Sequence, residues 1–163
     1  MDTKGTTRRK NARLVRRSRW TAKVHPIGSY GVVGNNRTAI LIGPDGSVDW
    51  APFPRFDSSP LFAALLDARR GGFFALRPRG RITGHESRYL PRTNVLEQRF
   101  VLSSRAEVRL LDFCPEVESD HILMSELHRR ISVVKGTADI ELLFAPRFNC
   151  GKEVPRFVTS QHG

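Results

Sequence analysis

The chain holds only two cysteines in 163 residues, which excludes a disulfide-stapled framework. The spacing from Cys114 to Cys150 fits no zinc-ligand pattern, and with no partner nearby in sequence to activate either one, both read as free, unreactive thiols. No apolar run approaches the roughly 18 residues that a spanning helix needs, so neither a transmembrane segment nor a membrane partner is expected. There is no internal repeat, which excludes collagen-like and coiled-coil chains. Gly28, Gly31 and Gly34 in IGSYGVVGNNR lack the spacing of a phosphate-cradling loop and read as turn glycines. No apolar segment of about 7–15 residues follows the early arginines before His25-Pro26, which argues against a secretory or twin-arginine signal. The leader is as Arg-rich as a mitochondrial presequence but shows little amphipathic pattern, and a cytoplasmic location is expected.

What is abundant is positive charge. Lys and Arg number 27 against 16 Asp and Glu, a formal net charge of +11. The excess is concentrated at one end. Residues 1–23 hold nine basic residues (Lys4, Arg8, Arg9, Lys10, Arg13, Arg16, Arg17, Arg19, Lys23) against Asp2, a net of +8, which leaves +3 for the other 140 residues. With few apolar residues, no period and many like charges, the leader is expected to be disordered. It reads either as a solvated tail or as a nucleic-acid arm, in which Arg8, Arg9, Lys10, Arg13, Arg16, Arg17 and Arg19 would neutralise phosphates.

Residues 24–163 read as one mainly β domain, because short apolar runs alternate with turn residues. Strands are expected at 38–42, 47–53, 73–76, 94–102, 106–113, 121–134 and 137–148. Gly43-Pro44-Asp45-Gly46 supplies the turn of a first hairpin. Period-two alternation is clearest where Glu107 and Arg109 oppose Val108 and Leu110, and where Asp139 and Glu141 oppose Ile140, Leu142 and Phe144. One short helix is expected from Pro60, with Ser58-Ser59 as cap, Leu61, Phe62, Leu65 and Leu66 on one face, and Gly71-Gly72 as stop. Residues 78–84 read as a basic loop. Short connectors predict that successive strands pair antiparallel, giving an antiparallel β-sandwich.

Hydrolytic chemistry calls first for paired carboxylates. Asp45 and Asp49 flank the first turn, and Asp57 sits beside Arg55. Asp112, Glu116, Glu118 and Asp120 crowd one connection, which reads as a solvated acidic face. His121 and His128 lie seven apart on an expected strand, hence on opposite faces, while His25, His85 and His162 fall in loops. No metal site and no cofactor is implied. Trp50, Phe53 and Phe56, around Pro52 and Pro54, read as core aromatics or as a sugar-stacking surface, and the second reading would make the chain a carbohydrate-binding module.

Residues 27–67 carry NRTAILIGPDGSVDW followed by PRFDSSPLFAALLD. This ordered pair resembles the start of the bacterial and archaeal branch of glycoside hydrolase family 15, the glucoamylase, glucodextranase and trehalase-like enzymes. RYLPRTNVLEQRF (88–100), VRLLDFCP (108–115) and APRFNCG (145–151) resemble later segments of that family. The resemblance implies an N-terminal β-sandwich, part of a supersandwich that is incomplete within these residues. In the family an (α/α)6 barrel follows, with two catalytic glutamates that act by inversion.

No catalytic residue is therefore expected in this chain. An α-glucoside or trehalose is expected to be bound only together with a barrel, and the expected partners are a separately encoded barrel or a second copy. Carried over from the family, the loop after the tryptophan places Trp50, Arg55, Phe56 and Asp57 near the sugar-binding mouth or the domain interface. The sequence departs from the family pattern at Asn35-Asn36, at Ala51-Pro52-Phe53 and at Asn149-Cys150.

Overall fold

The computed structural model of the chain describes residues 22–119 and 122–156, with backbone alone at 117–119 and 122–124. The leader arginines and Lys10, together with Asp120, His121 and His162, lie outside the described residues. Among the described residues, a single 3-10 turn at Ile27–Ser29 is followed by twelve strands. They are β1 Gly31–Gly34, β2 Ala39–Ile42, β3 Ser47–Pro52, β4 Pro60–Phe62, β5 Phe73–Pro78, β6 Ile82–Tyr89, β7 Leu96–Leu102, β8 Glu107–Phe113, β9 Glu116–Ser119, β10 Ile122–Ser125, β11 His128–Lys135 and β12 Ile140–Ala145.

Every strand pair is antiparallel. A six-stranded sheet runs β1-β2-β3-β5-β12 with β4 paired to β3, a four-stranded sheet runs β11-β8-β7-β6, and β9 and β10 form a hairpin of their own. β1 lies against β7 and β8, and β5 lies against β11, so the two large sheets face each other as an antiparallel β-sandwich. Alternation builds the core. On β8 the inward residues Val108, Leu110 and Asp112 are each 1% exposed or less. Val108 and Leu110 meet Phe100 from β7 and Leu76 from β5. At the other end Val33, Ile40, Ile42 and Val48 pack on Leu96. A Cβ at Gly31 would collide with the Leu96 side chain, so glycine lets β1 approach the opposing sheet.

An ion pair between neighbouring strands of the four-stranded sheet is buried in this core. Arg129 on β11 donates to both carboxylate oxygens of Asp112 at 2.7 and 3.2 Å. It also donates to the carbonyls of Phe74 and Gly46 at 2.9 and 2.8 Å, and its guanidinium lies over the Phe74 ring. Asp112 is therefore not part of a solvated acidic face. Glu116 and Glu118 stand on β9 rather than in a loop.

Other expectations are corrected. The segment from Pro60 is a strand, not a helix, and no α-helix occurs among the described residues. Its backbone finds distant partners: β4 pairs with β3, and the Ala63, Ala64 and Leu65 amides donate to Gly71, Gly72 and Asp49 carbonyls. Phe62 is thereby buried between Phe74 and Phe144, a gain that outweighs local helical preference. Gly71 is required by the close Ala63 backbone rather than as a helix stop.

Gly31 and Gly34 belong to β1, not to a turn. The expected basic loop shrinks to 79–81, because β5 runs through Pro78 and β6 starts at Ile82. The long strand expected at 121–134 is broken at Glu126-Leu127 into β10 and β11. The connector at Lys135-Gly136 does not return the chain to its neighbour. It carries the chain to the other sheet, where β12 pairs with β5.

Candidate functional site

The loop that follows β3 stands out from the surface. It leaves the sheet through a cis Phe53–Pro54 bond. Two hydrogen bonds fix it: the Phe56 amide donates to the Arg37 carbonyl at 2.8 Å, and Ser125 Oγ donates to the Pro54 carbonyl at 2.7 Å. Asn36 on the opposing β1–β2 turn takes a left-handed conformation (φ 63°), and Asn35 Oδ1 accepts from the Arg37 and Thr38 amides. Between the two loops lies an open cleft of about 450 Å³ lined by Asn36, Arg37, Arg55, Phe56 and Asp57.

Arg55 grips Asp57 through two hydrogen bonds of 3.0 and 3.3 Å, and Phe56 is 58% exposed. The Nε of Arg37 is buried without a hydrogen-bond partner. A bare aromatic ring beside planar donors and a carboxylate can stack on and hydrogen-bond a hydroxyl-rich or aromatic surface. The structure brings Arg55, Phe56 and Asp57 together. Trp50 lies half-buried on β3 opposite Leu41 and is not among the lining residues. Asn36 and Arg37, which the sequence reading does not single out as candidates, also line the cleft, and Asn35-Asn36 departs from the family pattern.

Asp45 and Asp49 are braces rather than an open acid–base pair. Asp49 is 1% exposed and accepts from Tyr30 Oη at 2.8 Å and Ser47 Oγ at 2.5 Å. Burial raises its pKa, and the bonds from Ser47 and Tyr30 offset this in part. Burial, then the bond to Asp49, pushes Tyr30 up to about 12. Asp45 accepts from Arg77 at 2.7 Å and faces His25 at 3.3 Å, while Arg77 also binds Glu141 at 3.0 Å. The network ties the segment before β1 to β3, β5 and β12.

Cys114 and Cys150 are both free. Burial, then Asp112, pushes the Cys114 thiol up to about 11, which keeps it in the unreactive form. His85 packs on Phe100 and His128 lies 2.7 Å from Glu126. Among the described residues no group of three or more His, Cys, Asp or Glu gathers as a metal site.

The described residues thus form an antiparallel β-sandwich with a loop-built cleft. The chain matches the family described as "Trehalase-like, N-terminal" over residues 15–163, and it belongs to that family. It is 37% identical over 152 residues to a trehalase of Thermoplasma volcanium, covering 92% of this chain and 24% of that protein. It is 31% identical over 125 residues to a trehalase of Thermoplasma acidophilum, covering 76% and 22%. A trehalase of Mycobacterium tuberculosis is 42% identical over 72 residues, covering 44% and 10%. The chain thus spans about a quarter (24%) of the length of a relative that it matches almost throughout. No solved structure matches.

Proposed function

We propose that this chain acts as the N-terminal accessory domain of an enzyme that hydrolyses trehalose or a related α-glucoside, and that it presents the 36–57 cleft to the catalytic part. Membership of the trehalase-like N-terminal family supports this reading, and the cleft of Asn36, Arg37, Arg55, Phe56 and Asp57 is the observation that carries it. Hydrolysis of a glycosidic bond takes two carboxyl groups flanking the bond, and the cleft has one, Asp57, already held by Arg55. Its role is to bind and orient. A barrel domain, joined or separately encoded, supplies the acid and base. Among the described residues no helix is long and apolar enough to cross a membrane. A cytoplasmic setting is part of this proposal.

The test places this chain in a chimera, in exchange for the matching region of the Thermoplasma volcanium trehalase. Phe56→Ala and Arg55→Ala are each expected to lower kcat/KM for trehalose about tenfold, with melting temperature unchanged because both side chains are exposed. Unaltered kinetics in both variants would remove the cleft from the proposal, and trehalose turnover by the purified chain alone would refute an accessory role.

A further inference from the structure

The outer face of the four-stranded sheet holds a second hollow, which shares no residue with the 36–57 cleft. Its volume is about 380 Å³, and its lining comes from β6, β7, β8 and β11 with nothing from the six-stranded sheet. Gly84, Val101 and Glu107 form one cross-strand row of outward residues, and Glu86, Arg99 and Arg109 form the next. Both edge strands are irregular at this level. The register of β6 shifts between Ile82 and Gly84, and that of β11 between Val133 and Lys135. The shift on β11 turns Val134 into the lining, as a bulge re-aims a side chain. The shift on β6 sets a glycine opposite Val101, so no side chain of β6 fills the space beside it, and Val101 is 40% exposed.

The charges in this hollow are not those of an ordinary solvated sheet face. Arg99 and Arg109 stand directly opposite each other on β7 and β8, a like-charge pair that opposes strand pairing. Glu97 lies beside both, and its side chain is 2% exposed. It accepts from Arg88 at 2.8 Å and from Arg99 at 3.2 and 3.4 Å. Arg109 comes only within 4.0 Å of it, beyond hydrogen-bond distance. The Nε of Arg109 is buried without a hydrogen-bond partner, while the side chain as a whole is 38% exposed. An anion that drew this guanidinium toward the hollow would give the orphaned N–H an acceptor and separate the two like charges.

The same residues limit which anion fits. Glu86 and Glu107 line the hollow with Arg99 and Arg109, so acids and bases balance there. A doubly charged phosphate would meet both carboxylates, whereas a planar monocarboxylate matches the arginine fork with less repulsion. Val101 and Val134, 40% and 61% exposed, offer apolar surface to a short hydrocarbon portion. The volume is that of a small-molecule site. We propose that the hollow binds a small aliphatic monocarboxylate, with the carboxylate between Arg99 and Arg109 and the tail on Val101 and Val134. Glu97 holds Arg99 in place, and Gly84 keeps the space open.

The test titrates the purified chain with sodium isovalerate and follows the backbone amides by NMR. Saturable shifts centred on 84–86, 99–101 and 107–109 are expected. Isoamyl alcohol has the tail without the charge, and inorganic phosphate has the charge without the tail; each should bind at least tenfold more weakly. Arg109→Met keeps the stem and removes the donors, and it should weaken isovalerate at least tenfold. Gly84→Val fills the hollow without strain, because a Cβ there meets Val101 at 3.4 Å, an ordinary contact. It should abolish binding and leave the melting temperature unchanged, whereas Arg55→Ala in the other cleft should leave binding intact. Shifts that stay linear through the titration, or equal affinity in the parent and Gly84→Val, overturn the proposal. Phosphate binding as tightly as isovalerate overturns the monocarboxylate assignment. Because the readout is binding to the chain itself, neither result bears on the proposed accessory role.

Discussion

The end of the sandwich where β1 meets β7 and β8 and the end where β12 runs beside β5 are built from equally apolar strands, yet they finish in opposite states. Val33, Ile40 and Leu96 at the first are 1% exposed or less, whereas Leu142 at the second is 61% exposed. Strand composition alone therefore does not bury a side chain. Burial needs a second layer, and the four-stranded sheet supplies one to β1 and β5 but not to β12.

The contrast can be broken most forcefully at the ion pair inside the covered region. Asp112→Ala would leave Arg129, whose side chain is 3% exposed, buried with its charge uncompensated. A loss of about 3–5 kcal/mol in urea unfolding is expected. The paired replacement Asp112→Leu with Arg129→Met should recover most of that loss, because the cost lies in the unpaired charge. Losses of equal size in the single and double variants would show that the pair matters through its geometry instead.

A direct comparison of the two ends comes next. Leu96→Ala opens a cavity between the sheets and is expected to cost about 2–5 kcal/mol, while Leu142→Ala should stay within about 0.5 kcal/mol. Similar costs at both sites would mean that Leu142 is covered in solution, for instance by a second copy. Dilution would then restore the difference.

The smallest effect concerns the brace behind β3. The folded-state pKa of Tyr30 is raised from 10.0 to about 12, so the fold favours its neutral form. Its contribution to stability is complete below pH 10 and is lost as pH rises through about 12. Of the two tyrosines in the chain, ultraviolet titration should show one ionising near pH 12, and Tyr30→Phe should remove that step and flatten the alkaline loss of stability. A step that persists in Tyr30→Phe would assign it elsewhere.

Much of this architecture is legible in the residues. Val108, Leu110 and Asp112 alternate with Glu107, Arg109 and Leu111 along β8, and the Gly43–Gly46 turn joins β2 to β3 as its composition predicts. β6 was not legible, because ITGHESRY is an exposed edge strand with no apolar period, held by main-chain bonds to β7. The helix expected from Pro60 failed for the converse reason. Leu61, Phe62, Leu65 and Leu66 have helical spacing, but β3 offers the segment a sheet edge and a buried place for Phe62. The cleft was half legible: Arg55, Phe56 and Asp57 are adjacent in sequence, while Asn36 and Arg37 join them through the Arg37 carbonyl bond.

The amino-acid sequence by itself determined the mainly β class, the first hairpin, the two-sided character of β8 and β12, and the likeness to a trehalase-like N-terminal region. Only the tertiary structure decided that the chain crosses at Lys135-Gly136, that Asp112 is a core residue, and that the apolar face of β12 is bare. The reason is physical: periodicity records which side chains share a face, but what lies opposite that face depends on contacts between residues far apart in the chain.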